Sequence, residues 1–486
     1  MDPVSPDPGR SVTPDARPPL PACLLCKDLR IGFPVHFDIP TTQLRQSAGN
    51  CPWCDLLLQA MRSIAHRFPA AAAARKLKVA TAGSWSGLKI ALDEFRHSTR
   101  LEDAHAELDW YEVYVVRDVG ARNRTPSPSR IPSPRLRMLP QISGKTSSAE
   151  AVEWAQMAYL ACILFHDCQG RDKPLLPTRI LDVGRRGGSQ DIKLHITRGE
   201  RERYFCLSHC WGTAQPLTTT RETLDEHRGN IPWSQLPRTF QEAVTFTREM
   251  GVRYLWIDSL CIIQDDRDDW KKEASRMFSI YENADLTLSA AAAPDSQGGC
   301  FATPPSEYVG WAVPYRNTRF WVRRQIDHQG LLQNGSGPMF HGGGPCPLVT
   351  RAWVFQERLL SPRVLHFSRH ELVFECNGGC ICECEAIDNS YIWHKKMWNK
   401  MRTGADTAQR TWAQILMAYT KLNITNPSDR LPALAGIVGR IKQKRTGRYV
   451  AGLWEETIVS DLLWHVATSR PKPSTRYAPS WSWASV

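Results

Sequence analysis

The 486-residue sequence predicts an α/β fold built on a parallel sheet. Three observations carry that expectation: a β-α-β-α-β alternation between residues 204 and 291, long apolar runs in its strands, and amphipathic helical periods between them. YFCLSHCW reads as a buried strand. LPRTFQEAVTFTREMG reads as an amphipathic helix with Gly251 as its stop signal. RYLWIDSLCII reads as a second strand, with the near-continuous apolar run of a parallel strand covered on both faces. DDWKKEASRMFSIYENA is a second helix and DLTLSAAAA a third strand. The strands fall near 204–209, 253–262 and 285–291, joined by right-handed crossovers.

The flanks are less regular. Residues 1–20 hold Pro, Asp and Ser and should be disordered. Residues 21–116 form a Cys-rich N-terminal region with a helix from Cys54 to Phe68. The alternating stretches LKVATAGSW, GLKIAL and WYEVYVV give it a small sheet. Residues 117–148 are a Ser/Pro/Arg linker around TPSPSRIPSP. A helix follows from Ser148 to Asp167, with Trp154, Met157, Leu160 and Ala161 at helical spacing. Residues 311–325 are strand-like, and 330–347 make a Gly-rich loop. RAWVFQERLLS is a short helix, and RVLHFS and ELVFEC are strands. Residues 408–442 are helical around a loop at Asn426 to Arg430. The organisation is a domain over 149–386, with its core at 204–301 and continuing through 351–376, then a helical region over 387–486.

Composition narrows the function classes. Hydrophobic residues make up 42% and charged residues 23%, enough for a real core. The net charge of +12 and pI near 9.1 would suit an anionic partner. The Arg excess, however, gathers between Arg117 and Arg137 among Ser and Pro, as in a solvated linker. With no basic strand interleaved with aromatics, nucleic acid is not an expected partner. The first 22 residues lack an apolar segment for a signal peptide, and no run of 18 apolar residues exists to span a membrane. A cytoplasmic location follows as the expectation. There the 15 cysteines would stand as thiols or metal ligands rather than disulfides.

Cys23-x-x-Cys26 and Cys51-x-x-Cys54 form two hooks with 24 residues between them, a pattern of four-Cys structural zinc. The competing reading makes Cys51 and Cys54 apolar residues at a helix start, beside Trp53 and Leu56. Cys162 and His166 lie at i, i+4 on one helix with Cys168 just beyond; these are three potential ligands without an obvious fourth, and buried thiols beside a satisfied His are the expected reading. Cys376, Cys380, Cys382 and Cys384 make a third cluster, where alternation would put sulfurs on one strand face.

Several strings together resemble the heterokaryon incompatibility (HET) family of filamentous fungi: YFCLSHCWG, LPRTFQEAV, RYLWIDSLCIIQDDRDDWKKEASRMFSIYENADLTLSAA and GGCF. LLPTRILDVG upstream, RAWVFQERLLSPRVLHF and the C-terminal YAPSWSWAS also look like the family, so the resemblance spans most of residues 175–485. His209 departs from the family's usual Tyr, and many members continue past the final motif. The resemblance implies a self/non-self recognition effector that triggers programmed cell death. Its partners would be other incompatibility or NLR-type proteins, or further copies of itself. The HET core has been likened to Toll/interleukin-1 receptor (TIR) domains, which implies a TIR-like, flavodoxin-like parallel core beside the Cys-rich region and small β-rich segment.

TIR domains that cleave NAD carry a W-x-x-x-E pattern, and Trp353 and Glu357 stand at that spacing. Residues i and i+4 share a helix face, so ring and carboxylate are expected together. Glycosidic cleavage of NAD needs a carboxylate to steady a cationic ribose, and a flat aromatic wall helps. Gln356 and Arg358 are candidates for ribose or phosphate contact. The competing reading is that Trp353 is core and Glu357 an ion-pair partner. Asp258 and Ser208 lie near the carboxyl ends of predicted parallel strands, where ligands bind. Trp211 and Gly212 form the turn out of the first strand. Glu357 is expected to be partly exposed, so Glu357→Gln should leave folding intact. Asp268 or Asp269 should cap the next helix. A Ser208/His209/Asp258 hydrolase is a rival, weakened by the lack of a G-x-S-x-G elbow. The alternative to an enzyme is a non-enzymatic, TIR-like signalling module.

Overall fold

A computed structural model describes residues 23–26, 29, 35–81, 88–93, 109–116, 136–168, 172–212, 216–328, 331, 346–387, 393–404, 407–466, 475 and 477–486. The expected disordered segment 1–20, most of the Ser/Pro/Arg linker and most of the Gly-rich loop lie outside the described residues.

The predicted α/β core is present. Strands Tyr204–Ser208, Tyr254–Trp256, Leu286–Ser289 and Arg363–Phe367 run parallel. Ranked 1 to 4 in chain order, they lie side by side as 2-1-3-4. The order reverses between the first and third strands, where Ser208 pairs in register with Ser289. Helix Arg238–Glu249 turns Phe240, Ala243, Val244 and Phe246 inward, as the sequence period demands.

Beyond the three predicted strands, which are parallel, the sheet is mixed. Leu372–Cys376 and Cys380–Cys382 add antiparallel strands at one edge, and Arg179–Asp182 and Lys193–Ile196 do so at the other. Connections as short as Ser368–Glu371 can only reverse the chain, because a parallel return needs a crossover of a dozen residues or more.

Two predicted elements also differ. The second strand ends at Trp256, and Asp258–Cys261 is a helical turn. Apolar residues in a buried strand and a buried helical turn look alike in sequence. The second connecting helix is two helices, Arg267–Ala274 and Met277–Asn283. Its cap is Asp266, which accepts from the backbone N–H groups of Asp268 and Asp269.

The N-terminal region forms a second sheet. Val35–Pro40, Lys76–Thr81, Leu88–Leu92 and Trp110–Val116 make an antiparallel meander. Helix Pro52–Arg67 opens with Pro at its first position and buries Trp53, Leu56, Leu57, Met61 and Ile64. The strand-like stretch after residue 310 completes this sheet rather than the parallel one. Trp311–Tyr315 and Thr318–Arg324 form a hairpin that pairs with Trp110–Val116. Buried Arg323 fixes the junction: its Nε donates to Glu112 at 2.7 Å and its Nη2 to the Cys384 carbonyl at 2.9 Å.

A third apolar cluster covers the C-terminal region. Helices Ala408–Tyr419 and Ala435–Lys442 pack with Trp398, Trp412, Trp454 and Trp483 against Ala352–Leu360. No described helix is long and apolar enough to cross a membrane.

Candidate active site and metal centres

The carboxyl ends of the parallel strands gather several of the residues singled out above. Helix Ala352–Leu360 carries Glu357 to the first strand, where the Ser208 hydroxyl donates to Glu357 Oε2 at 2.5 Å. Glu357 is buried, which corrects the expectation of partial exposure. Burial pushes its carboxyl up to about 7; nearby Asp258 pushes the same way, while the Ser208 bond, Arg351 and Tyr281 oppose. The carboxyl thus divides between its two forms near neutral pH, as a general acid or base requires.

A second carboxylate stands close by. Trp211 Nε1 donates to Asp258 Oδ2 at 3.0 Å, and Asp258 Oδ1 accepts from its own neighbour's N–H, that of Ser259. His209 Nδ1 lies 3.8 Å from Asp258 Oδ1. Burial holds the His209 imidazole below its ordinary value, so it stays neutral at pH 7. Arg351, at the helix start, donates to the His209 carbonyl at 3.1 Å. Gly212 takes φ of +80°, and a Cβ there would collide with Asp295, so the turn requires glycine.

Other candidates face elsewhere. The Trp353 indole donates to Asp429 at 3.2 Å, in the C-terminal region, so ring and carboxylate of the W-x-x-x-E pair have different partners. Gln356 accepts from the Gly436 backbone at 2.8 Å. Arg358 donates to Glu375 at 2.8 Å and to the Leu331 carbonyl at 2.7 Å. Both are buried and bonded within the protein. The Ser208/His209/Asp258 hydrolase does not assemble, because the Ser208 proton goes to Glu357.

Glu375 is an instructive contrast. Burial alone would raise it, but Arg358 and Lys395 overcome that and hold it well below the carboxylate range. Its second partner is His366, at 3.0 Å. Among the described residues no cation is bonded to Glu357. A narrow seam lined by Ser208, Thr287, Ser289, Val354, Arg358 and His366 runs between these groups, too tight for a water molecule.

Nine of the cysteines sort into three groups, and no disulfide joins any of the described ones. Cys23, Cys26, Cys51 and Cys54 converge, with all ligand atoms within 4.8 Å of one another. The Cys23–Cys54 sulfurs lie 3.7 Å apart and the Cys26–Cys51 sulfurs 3.5 Å. Tetrahedral zinc with ~2.3 Å bonds needs sulfurs ~3.8 Å apart, so this donor set fits such an ion. Cys162, His166 and Cys168 gain Cys376 as a fourth donor, and Cys382 and Cys384 meet His328 and Glu371. The run Cys376 to Cys384 is therefore split between two places. Neither His328 nor the role of Cys376 was visible in local spacing, because each partner is remote in sequence.

The fold and site define an α/β protein with a buried, near-neutral carboxyl at the switch point of its strand order. Residues 204–357 match the family model described as heterokaryon incompatibility protein (HET), and the chain carries a HET domain there. No curated protein and no solved structure matches the chain.

Proposed function

We propose that this chain acts in heterokaryon incompatibility as an effector of cell death, and that it kills by cleaving NAD at the Ser208–Glu357 pair. The carrying observation is the Ser208–Glu357 hydrogen bond at the reversal of strand order. In open α/β sheets ligands bind outside the carboxyl ends at such a reversal, and the 2-1-3-4 order is that of the first four strands of flavodoxin-like folds. In the reaction, the bond between ribose C1′ and the nicotinamide nitrogen breaks, and its electron pair leaves with nicotinamide. A water oxygen bonds to C1′, and its proton passes to the Glu357 carboxylate. Asp258 adds negative charge facing the cationic sugar. Trp211 is the aromatic surface beside it, a role for which Trp353 is poorly turned.

The four N-terminal cysteines hold structural zinc in this reading. The protein works in the cytoplasm, with other incompatibility or NLR-type proteins or with its own copies as partners.

A second reading, a non-enzymatic signalling module, is favoured by the burial of Glu357 and the tightness of the seam beside Ser208. One assay separates the two. Expression of the parent should deplete cellular NAD and kill, and expression of Glu357→Gln, at equal folded protein, should do neither. Killing without NAD loss, or killing by the variant, would hand the case to the signalling module.

A further inference from the structure

We propose that Cys162, His166, Cys168 and Cys376 bind a zinc ion that staples the helix Ala149–Phe165 to the edge of the parallel sheet. The four ligand atoms lie within 4.8 Å of one another. His166 Nδ1 is 3.1 Å from Cys376 Sγ. Three thiols and an imidazole are a common structural zinc set, and the metal needs its donors a little under ~4 Å apart around one point.

The chain is shaped around this point. Cys162 begins the last turn of the helix, His166 is its C-cap residue, and Cys168 follows as the chain leaves. Cys376 ends strand Leu372–Cys376, some 200 residues away in sequence. Its neighbour in the turn is Gly378, where an added Cβ would lie 2.5 Å from the His166 ring. Glycine there is what lets the imidazole lie over the turn.

Charge agrees with the same ion. Zinc bound by three thiolates and a neutral imidazole carries a net charge of about −1. Arg363 is buried against the cluster and is the residue paired with Cys376 across the strands. Its Nε donates to Cys162 Sγ at 3.2 Å, and its Nη2 donates to the Cys168 carbonyl at 3.3 Å. Asp285, the nearest carboxylate, is 3.6 Å from the guanidinium and also accepts from Tyr159. A guanidinium donating to a sulfur is the outer-sphere support that metal thiolates use. In the His328/Glu371/Cys382/Cys384 group, by contrast, the carboxylate is already taken by His328 at 2.5 Å and by the Cys384 backbone N–H, so it carries no equal argument.

The test uses the full chain, purified without chelator, with metal content read by mass spectrometry. His166 is exposed, so changing it removes a ligand and little packing. In a Cys54→Ser background, which removes the N-terminal site, the protein should keep one zinc. His166→Ala should weaken retention of that zinc against a chelator by at least ~10–100-fold, the loss seen even for outer-sphere changes. His166→Cys should restore it and, after cobalt substitution, strengthen the thiolate-to-metal absorption. Should Cys54→Ser not fold, the His166 pair is read in the parent background, where one of two ions should become labile. No zinc beyond the N-terminal site, or retention unchanged by His166→Ala, overturns the proposal. So does a disulfide among Cys162, Cys168 and Cys376 in freshly isolated protein.

Discussion

Ser208 and Glu357 stand 149 residues apart in sequence, yet the hydroxyl donates to the carboxylate at 2.5 Å. The bond joins the end of the first parallel strand to the helix that leads into the fourth. Everything proposed about chemistry in this protein depends on the charge state of that pair.

The first prediction concerns pH and stability. Glu357 sits at about 7 in the folded chain, above its ordinary value of 4.5. The folded state therefore holds this proton more tightly than the unfolded state. That contribution is fully present below about pH 4.5, is lost as pH rises through about 7, and changes no further above it. At ~1.4 kcal/mol per unit it amounts to at most about 3 kcal/mol. Glu357→Gln should remove this part of the slope. Melting curves of parent and variant between pH 5 and 8 check it, and parallel profiles would show that Glu357 does not titrate there.

Ser208→Ala provides the second. The hydroxyl bond is the largest of the influences that draw the Glu357 carboxyl downward, so its removal should shift the midpoint up by about one to two units, as expected for a bond to a charged group worth ~1.5–3 kcal/mol. If NAD cleavage needs the carboxylate as base, its activity profile should move to higher pH by the same amount. A profile that stays put would separate the hydroxyl from catalysis.

A third prediction concerns the N-terminal cysteines. Removing zinc with chelator, or Cys54→Ser, should loosen helix Pro52–Arg67, because Cys51 and Cys54 hold its first turn. Hydrogen exchange in that helix should quicken at least tenfold while strand Tyr204–Ser208 stays protected. Equal exchange with and without chelator would argue against a metal there.

The fourth is energetic. Arg323→Ala leaves Glu112 as a buried charge without its guanidinium, which costs about 3–5 kcal/mol. Replacing both, as Arg323→Met with Glu112→Leu, should recover most of that loss in chemical denaturation. If the single change costs under ~1 kcal/mol, water reaches the pair.

Much of this was legible in the sequence, for identifiable reasons. The parallel strands announced themselves because burial on both faces demands unbroken apolar runs. Cys23, Cys26, Cys51 and Cys54 were readable because each hook is local. Asp258 was found at the right edge but assigned to a strand, since Leu260, Cys261, Ile262 and Ile263 carry the apolar run of the strand onward. Gln356 and Arg358 were read as ligand contacts without sight of their partners inside the protein. Nothing local says that Gly436 and Glu375, both far along the chain, take up their polar groups. Cys376 hid for the same reason: its neighbours in sequence are cysteines, but its neighbours in space are Cys162, His166 and Cys168.

The hairpin Trp311–Arg324 leaves the HET segment to complete a sheet whose four-stranded meander precedes residue 117. The two halves of the chain are thus interleaved rather than strung in series. A single cut between residues 117 and 135 would yield two fragments, each lacking strands that the other supplies. Such pieces should find each other and reconstitute, as split reporters do. Conversely, a truncation that discards the N-terminal region would leave the hairpin as a naked strand edge inside the remaining protein. Mapping experiments that express the family-matched segment by itself would then be reading aggregation rather than loss of a separable module.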